Sequence, residues 1–164
     1  MSDISFKKIA LNDEEDFDRI YNILKICGEN MYMNYGLAHW LEPYSINAIR
    51  NDAAGKDVYI AYMDGAEIGT FMISERESAY FKNDVPAIYI SKFAILPKGE
   101  GKGIGSKCMS FIEDQMLLKN IHCIRLEVYT RSDRAVSFYR NKGFLIVDEK
   151  PTRRFSVYCM EKRF

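Results

Sequence analysis

The residues with the densest chemical potential are Pro97-Lys98-Gly99-Glu100-Gly101-Lys102-Gly103-Ile104-Gly105-Ser106, where glycine recurs at every second position between an apolar run and an amphipathic one. Glycines so placed remove the Cβ atoms that would hold an anion off the backbone. A helix opening near Gly103 adds unpaired N–H groups at its positive end. Such a junction suits a phosphate. A mononucleotide P-loop needs Gly-Lys followed by Ser or Thr to hold magnesium, and here Lys102 is followed by Gly103. A dinucleotide fingerprint needs a third glycine where Ser106 or Ile104 stands. Both nucleotide patterns therefore fail on spacing. The plain alternative is a flexible loop with no ligand.

The segment resembles the acetyl-CoA site of the GNAT N-acetyltransferase superfamily, whose pattern is Arg or Gln, two residues, Gly, one residue, then Gly or Ala. Gly103 and Gly105 match the small positions, Gly101 and Ile104 match common companions, and Pro97 stands where a proline often ends the preceding strand. Glu100 replaces the Arg or Gln, which sets a carboxylate near the pyrophosphate unless its side chain turns to solvent. A second match follows in Ser132-Asp-Arg-Ala135-Val-Ser-Phe138-Tyr139-Arg-Asn-Lys-Gly143-Phe144, with Ser132 in place of the family's Asn. The Ser132 hydroxyl could cap the helix or bond to a cofactor amide. The resemblance implies that acetyl-CoA is held by Glu100 to Ser106 and by Ser132, Ala135, Phe138 and Tyr139. It also implies that backbone N–H groups at the end of the preceding strand, Phe93, Ala94 and Ile95, orient the thioester.

Amide formation needs an amine to attack the thioester carbonyl and a thiolate to leave. On a helix Ala135, Phe138 and Tyr139 share a face, so the Tyr139 ring can pack inward while its phenol reaches a ligand. Tyr139 is either a core aromatic or, as the resemblance implies, the acid that protonates the departing thiolate. Some superfamily members carry a glutamate on the strand before the glycine loop, but no carboxylate lies between Pro86 and Leu96. The base is then a water chain or a group from elsewhere, with Glu75, Glu77 and His39 as candidates. Met31 to Tyr44 gathers aromatics, including Tyr35 and Trp40, and His39 at a helix end and loop, and it resembles a bacterial-type branch of the superfamily. This is the family's usual region of acceptor specificity. It makes Tyr35, His39 and Trp40, with Glu75 and Tyr89, the expected acceptor contacts; the alternative is that Tyr35 and Trp40 only cover the core.

The elements that must carry these residues can be read from periodicity. Ile4 to Ala10 reads as a strand, and Asn12 or Asp13 caps a helix whose buried stripe is Phe17, Ile20, Ile23 or Leu24, and Cys27. A second helix is expected from Ser45 to before Gly55. Val58 to Met63 and Ile68 to Ser74 form a hairpin around Asp64-Gly65. Val85 to Leu96 reads as a central strand apolar on both faces, and the helix after the glycine loop buries Ile104, Cys108, Phe111 or Ile112, and Met116. Ile121 to Val128 is a strand, a helix from Asp133 ends with Gly143 at C′, and strands near Phe144 to Asp148 and Phe155 to Glu161 follow. The expected fold is mixed α/β. With the resemblance, this is a mostly antiparallel central sheet flanked by helices, its central strands splayed to admit acyl-CoA.

All 164 residues read as one N-acetyltransferase domain, and 48% apolar residues can fill its core. Basic and acidic residues number 23 each, so no global field draws nucleic acid or an anionic membrane, and the expected partner is a small-molecule or peptide amine. A homodimer is compatible with this reading. Cys27, Cys108, Cys123 and Cys159 lack paired spacing and sit in apolar stretches, as reduced core thiols do. His122 beside Cys123 makes no ligand pair on one strand face, so no metal is expected. The amino-terminal residues lack a signal-peptide core and no apolar run nears the ~20 residues that cross a bilayer, which places the protein in the cytoplasm. The rival to an acetyltransferase is a non-catalytic acyl-CoA-binding sensor or interaction module.

Overall fold

A computed structural model describes residues 3–41 and 45–164. The chain runs β1 (Ile4–Lys8), α1 (Glu14–Tyr35), α2 (Ile46–Ala53), β2 (Asp57–Met63), β3 (Ala66–Ser74) and β4 (Ile88–Ile95). A 3₁₀ turn at Pro97–Gly99 leads to α3 (Ile104–Leu118), then β5 (Cys123–Tyr129), α4 (Asp133–Asn141), β6 (Leu145–Pro151) and β7 (Ser156–Arg163). The strands form a seven-stranded sheet in the order β1-β2-β3-β4-β5-β7-β6. β1/β2, β2/β3, β5/β7 and β6/β7 pair antiparallel, and β4 pairs parallel to β5 through Ile88–Ile90 against Ile124–Leu126. This is the expected mixed, mostly antiparallel class.

Local chemistry sets the boundaries. Asp13 rather than Asn12 caps α1, its carboxylate accepting from the Asp16 N–H. Gly36, left-handed at φ 67°, closes α1 at its other end by donating to the Tyr32 carbonyl. Ser45 caps α2 through the Ala48 N–H. Asp64 and Gly65 both have positive φ, as a two-residue hairpin turn requires, so β2 and β3 pair directly across it. The expected strand from Val85 begins only at Ile88, because the residues from Glu75 to Ala87 form an irregular connection.

The chain divides into two compact units, Met1–Ile73 with Lys92–Glu113, and Ser74–Ser91 with Asp114–Phe164. In the first, Phe17, Ile20, Ile49, Ile60, Ile68 and Phe71 are fully buried. An aromatic cluster joins Phe6 to Phe111 at 4.3 Å between ring centroids, Tyr59 to Phe111 at 5.0 Å and Phe71 to Phe93 at 6.0 Å. In the second, Ile88, Met116, Ile124, Phe144, Cys159 and Met160 make the core. Among the described residues no helix is long and apolar enough to cross a membrane.

Candidate functional site

The turn after β4 is built to present backbone. Leu96 N–H donates to the Ile68 carbonyl at 2.8 Å, and Gly99 and Glu100 donate back to Leu96 and Pro97. A Cβ on Gly99 would lie 2.8 Å from the Ile68 side chain, so a larger residue there would have to displace it. Gly101 and Gly103 have φ of 73° and 74°, the left-handed region that side chains disfavour, and nothing lies within 4 Å of where their Cβ atoms would stand. The first bond of α3 runs from Lys107 N–H to the Gly103 carbonyl, so the N–H groups of Ile104, Gly105 and Ser106 have no acceptor within the helix. Glu100 and Lys102 are exposed. An open cradle of glycine backbone feeding a helix N-terminus fits a diphosphate.

The end of β4 is pinned. Phe93 stacks on Phe71, the Ala94 carbonyl lies where a Cβ on Gly69 would come within 2.7 Å, and the Cys27 thiol donates to the Ile95 carbonyl at 3.3 Å. Burial, with the Glu100 charge adding to it, pushes that thiol up to about 12, so it is no nucleophile near neutral pH.

Of the expected acceptor residues, Tyr35, His39 and Trp40 gather at the end of α1. The Trp40 carbonyl sits so close to α1 that a Cβ on Gly28 would lie 2.3 Å from it, and the His39 and Trp40 rings are 5.9 Å apart. Burial lowers the His39 imidazole to about 4, which leaves it neutral at pH 7 and weak as a base. Glu42, Pro43 and Tyr44, at the end of the same stretch, lie outside the described residues. Glu75 and Tyr89 fall in the second unit. Glu75 pairs with Lys119 at 3.5 Å and, with Glu77, Asp84 and Ile121, lines a cavity of about 360 Å³. The Tyr89 hydroxyl accepts from Arg125 at 3.0 Å.

In the second unit α4 carries the other expected residues. Ser132 is buried at the N-cap, but its hydroxyl makes no capping bond, because its backbone, at φ −83° and ψ 71°, departs from the extended cap geometry seen at Asp13. Of the two roles open to Ser132, capping is therefore excluded. Ala135 and Phe138 are half-buried. Tyr139 is buried, its ring 5.2 Å from Phe138 and 5.7 Å from Phe144, and burial pushes its phenol well above the ordinary tyrosine value.

Two features had no expectation attached. Arg125, fully buried in β5, donates to Glu161 at 2.7 Å, Asp84 at 2.5 Å and the Lys82 carbonyl at 2.8 Å, under the ring of Phe81. A lone arginine inside Cys-Ile-Arg-Leu was its only trace in the sequence. Lys92, inside β4, has φ 51°.

The chain matches the acetyltransferase (GNAT) family over residues 17–144, more than half of its length. It belongs to the GNAT family. No curated protein sequence matches it. Solved structures similar to this GNAT chain include the PaiA N-acetyltransferase of Thermoplasma acidophilum in complex with coenzyme A, at TM-score 0.74 and 19% identity over 99% of each chain. Ard1 of Thermoplasma volcanium has TM-score 0.73 and 20% identity, over 98% of this chain and 97% of its own. Arabidopsis thaliana Naa50, in complex with a bisubstrate analogue CoA-Ac-MVNAL, has TM-score 0.68 and 19% identity, over 98% and 99%. At these identities the shared property is the GNAT fold.

Proposed function

We propose that this chain, acting over its 164 residues as one domain, moves an acetyl group from acetyl-CoA to a primary amine of a small molecule or peptide in a ternary complex. Membership of an acetyltransferase family carries the reaction class. The observation that carries the donor is the turn at Gly101 and Gly103, whose left-handed glycines open directly onto the unpaired N–H groups of α3. The backbone of Glu100 to Ser106 would hold the diphosphate, Phe93 to Ile95 the thioester, and Ser132, Ala135 and Phe138 the remaining cofactor contacts. Tyr35, His39 and Trp40 would meet the acceptor, with Glu75 and Tyr89 as the further acceptor contacts. Similar structures bound to coenzyme A and to a peptide-bearing bisubstrate analogue support a coenzyme A donor and are compatible with a peptide acceptor.

In the transfer, the amine nitrogen bonds to the acyl carbon, the carbon–sulfur bond breaks, and the thiolate takes a proton from Tyr139. Burial raises the phenol, which keeps it protonated at neutral pH and also makes it a weaker proton donor than an ordinary tyrosine, so the role rests on its place in the family motif rather than on its acidity. A covalent acyl-cysteine route has poor support. Burial holds Cys27 and Cys108 near about 12 and Cys123 and Cys159 near about 11, leaving almost no thiolate. His39, lowered to about 4, is a weak base, which leaves a water chain, Glu75 or Glu77 to take the amine proton. The rival, a non-catalytic acyl-CoA sensor, draws on Glu100, where the family prefers Arg or Gln. Thiol release from acetyl-CoA over a panel of polyamines, amino acids and free N-terminal peptides separates them: turnover on any amine supports the enzyme, and binding without turnover on all supports the sensor.

A further inference from the structure

Among the described residues three without a glycine's freedom have positive φ: Asp64, Lys92 and Asn120. Asp64 belongs to a hairpin turn and Asn120 to the turn after α3, and both are Asx residues, which tolerate the left-handed region. Lys92 has neither excuse. It stands inside β4, where an ordinary side chain pays for that conformation unless its surroundings impose it.

The surroundings that impose it can be named. Downstream, Phe93 is stacked on Phe71, Ala94 is set against Gly69, the Ile95 carbonyl accepts from Cys27, and Leu96 donates to Ile68. Those contacts fix the strand after the break. At the break itself, the Lys92 ammonium reaches α2, 3.4 Å from Oδ2 of Asp52, whose Oδ1 accepts from Lys56 at 3.0 Å. The Lys92 and Lys56 side chains are 16% and 15% exposed and that of Asp52 is 35% exposed, so this is a half-buried ion pair rather than a fully solvated surface one. A left-handed residue also breaks the alternation of the two peptide groups that flank it, re-aiming the N–H groups that follow.

We propose that Asp52 is a positioning residue: through Lys92 it holds the left-handed break in β4 that aims the backbone of Phe93 to Ile95 at the acyl group. This rests on the acetyltransferase reading above.

The test uses the full chain and three substitutions, Asp52→Asn, Lys92→Met and Lys92→Gly, each checked for a native thermal melt. Two readouts are taken: the backbone angle at residue 92 from NMR couplings, which needs no activity, and kcat with the acetyl-CoA dissociation constant. Asp52→Asn and Lys92→Met should shift the angle towards extended values and lower kcat about 10-fold with acetyl-CoA affinity kept, the scale of one released backbone strain. Lys92→Gly should recover most of what Lys92→Met loses, since glycine adopts the left-handed region without a tether. Combined with Lys92→Gly, Asp52→Asn should lose nearly all its effect. An unchanged angle in Asp52→Asn overturns the tether. A normal angle with kcat as low in Lys92→Gly as in Lys92→Met overturns it too, and assigns the ammonium to direct substrate contact. If the wild-type chain turns over no amine, the transfer reading fails while the angle still decides the tether.

Discussion

Tyr139 concentrates the enzymatic claim in one oxygen atom. Tyr139→Phe keeps the ring against Phe138 and Phe144 and removes only the proton donor. Turnover should fall about 10²-fold with acetyl-CoA affinity intact, the scale of general acid catalysis. Steady-state kinetics beside a coenzyme titration measures this, and a variant with normal turnover would make Tyr139 a core aromatic. The glycine turn makes a different claim, that backbone rather than charge binds. Gly103→Val places a branched side chain at φ 74° in the space left for ligand, whereas exposed Lys102 adds only ~1 kcal/mol or less of screened attraction. Calorimetry should show Gly103→Val weakening acetyl-CoA far more than Lys102→Ala, and equal losses would refute the backbone account. Glu100→Arg should tighten binding with a gain that fades at high salt, because a fork of donors replaces a carboxylate. An unchanged affinity at low salt would show residue 100 turned away from the ligand.

At the scale of elements, helix α1 matters through its fit to the segment that follows it. The Trp40 carbonyl occupies the space beside Gly28, so Gly28→Ala puts a methyl group 2.3 Å from a backbone oxygen and must displace the segment carrying His39 and Trp40. The expected outcome is a loss of ~1–3 kcal/mol in stability, typical of overpacking, together with a raised KM for the amine and an unchanged one for acetyl-CoA. Equal rises in both KM values would mean that this segment does not serve the acceptor. The same substitution without any loss of stability would mean that the contact relaxes freely.

Across the whole molecule, buried charge sets the response to acid. His39 is lowered from 6.5 to about 4 by burial, so the unfolded chain takes up this proton first as pH falls. Its contribution is therefore intact above 6.5 and lost progressively down to about 4. Burial raises Asp16, but hydrogen bonds from Lys7 and Arg19 outweigh it and leave the carboxyl below its ordinary 3.8; stability is present above that value and lost as pH falls through the folded one. Arg163 and Arg125 hold Asp84 lower still. Melting temperature should be level above pH 6.5, decline gently to 4 and drop steeply below 3.8. In His39→Gln the gentle decline should vanish; its persistence would assign that slope to another group. Arg125→Met, which leaves the Glu161 carboxylate paired with the half-exposed Arg163 alone, should cost ~1–3 kcal/mol by chemical denaturation. A near-neutral result would show that the apolar stem alone accounts for the site.

What the sequence by itself determined was local in origin. The glycine turn, a cap at Asn12 or Asp13, a helix start near Ser45, the Asp64-Gly65 hairpin and the buried stripes of α1 and α3 depend on residues a few positions apart, whose conformational preferences act before any tertiary contact forms. The family motifs were legible for the same reason, being short and contiguous. Only the tertiary structure decided what distant residues do to one another. Asp84 and Glu161 meet Arg125 from 41 and 36 positions away, and Lys92 meets Asp52 across an intervening hairpin. Each pairing depends on where separate elements come to rest, and no spacing along the chain encodes it. The same holds for His39 and Ser132: the imidazole pKa depends on desolvation by the surrounding protein, and the failed cap on the backbone angles at α4. A residue type announces a capability, and packing decides whether it is used.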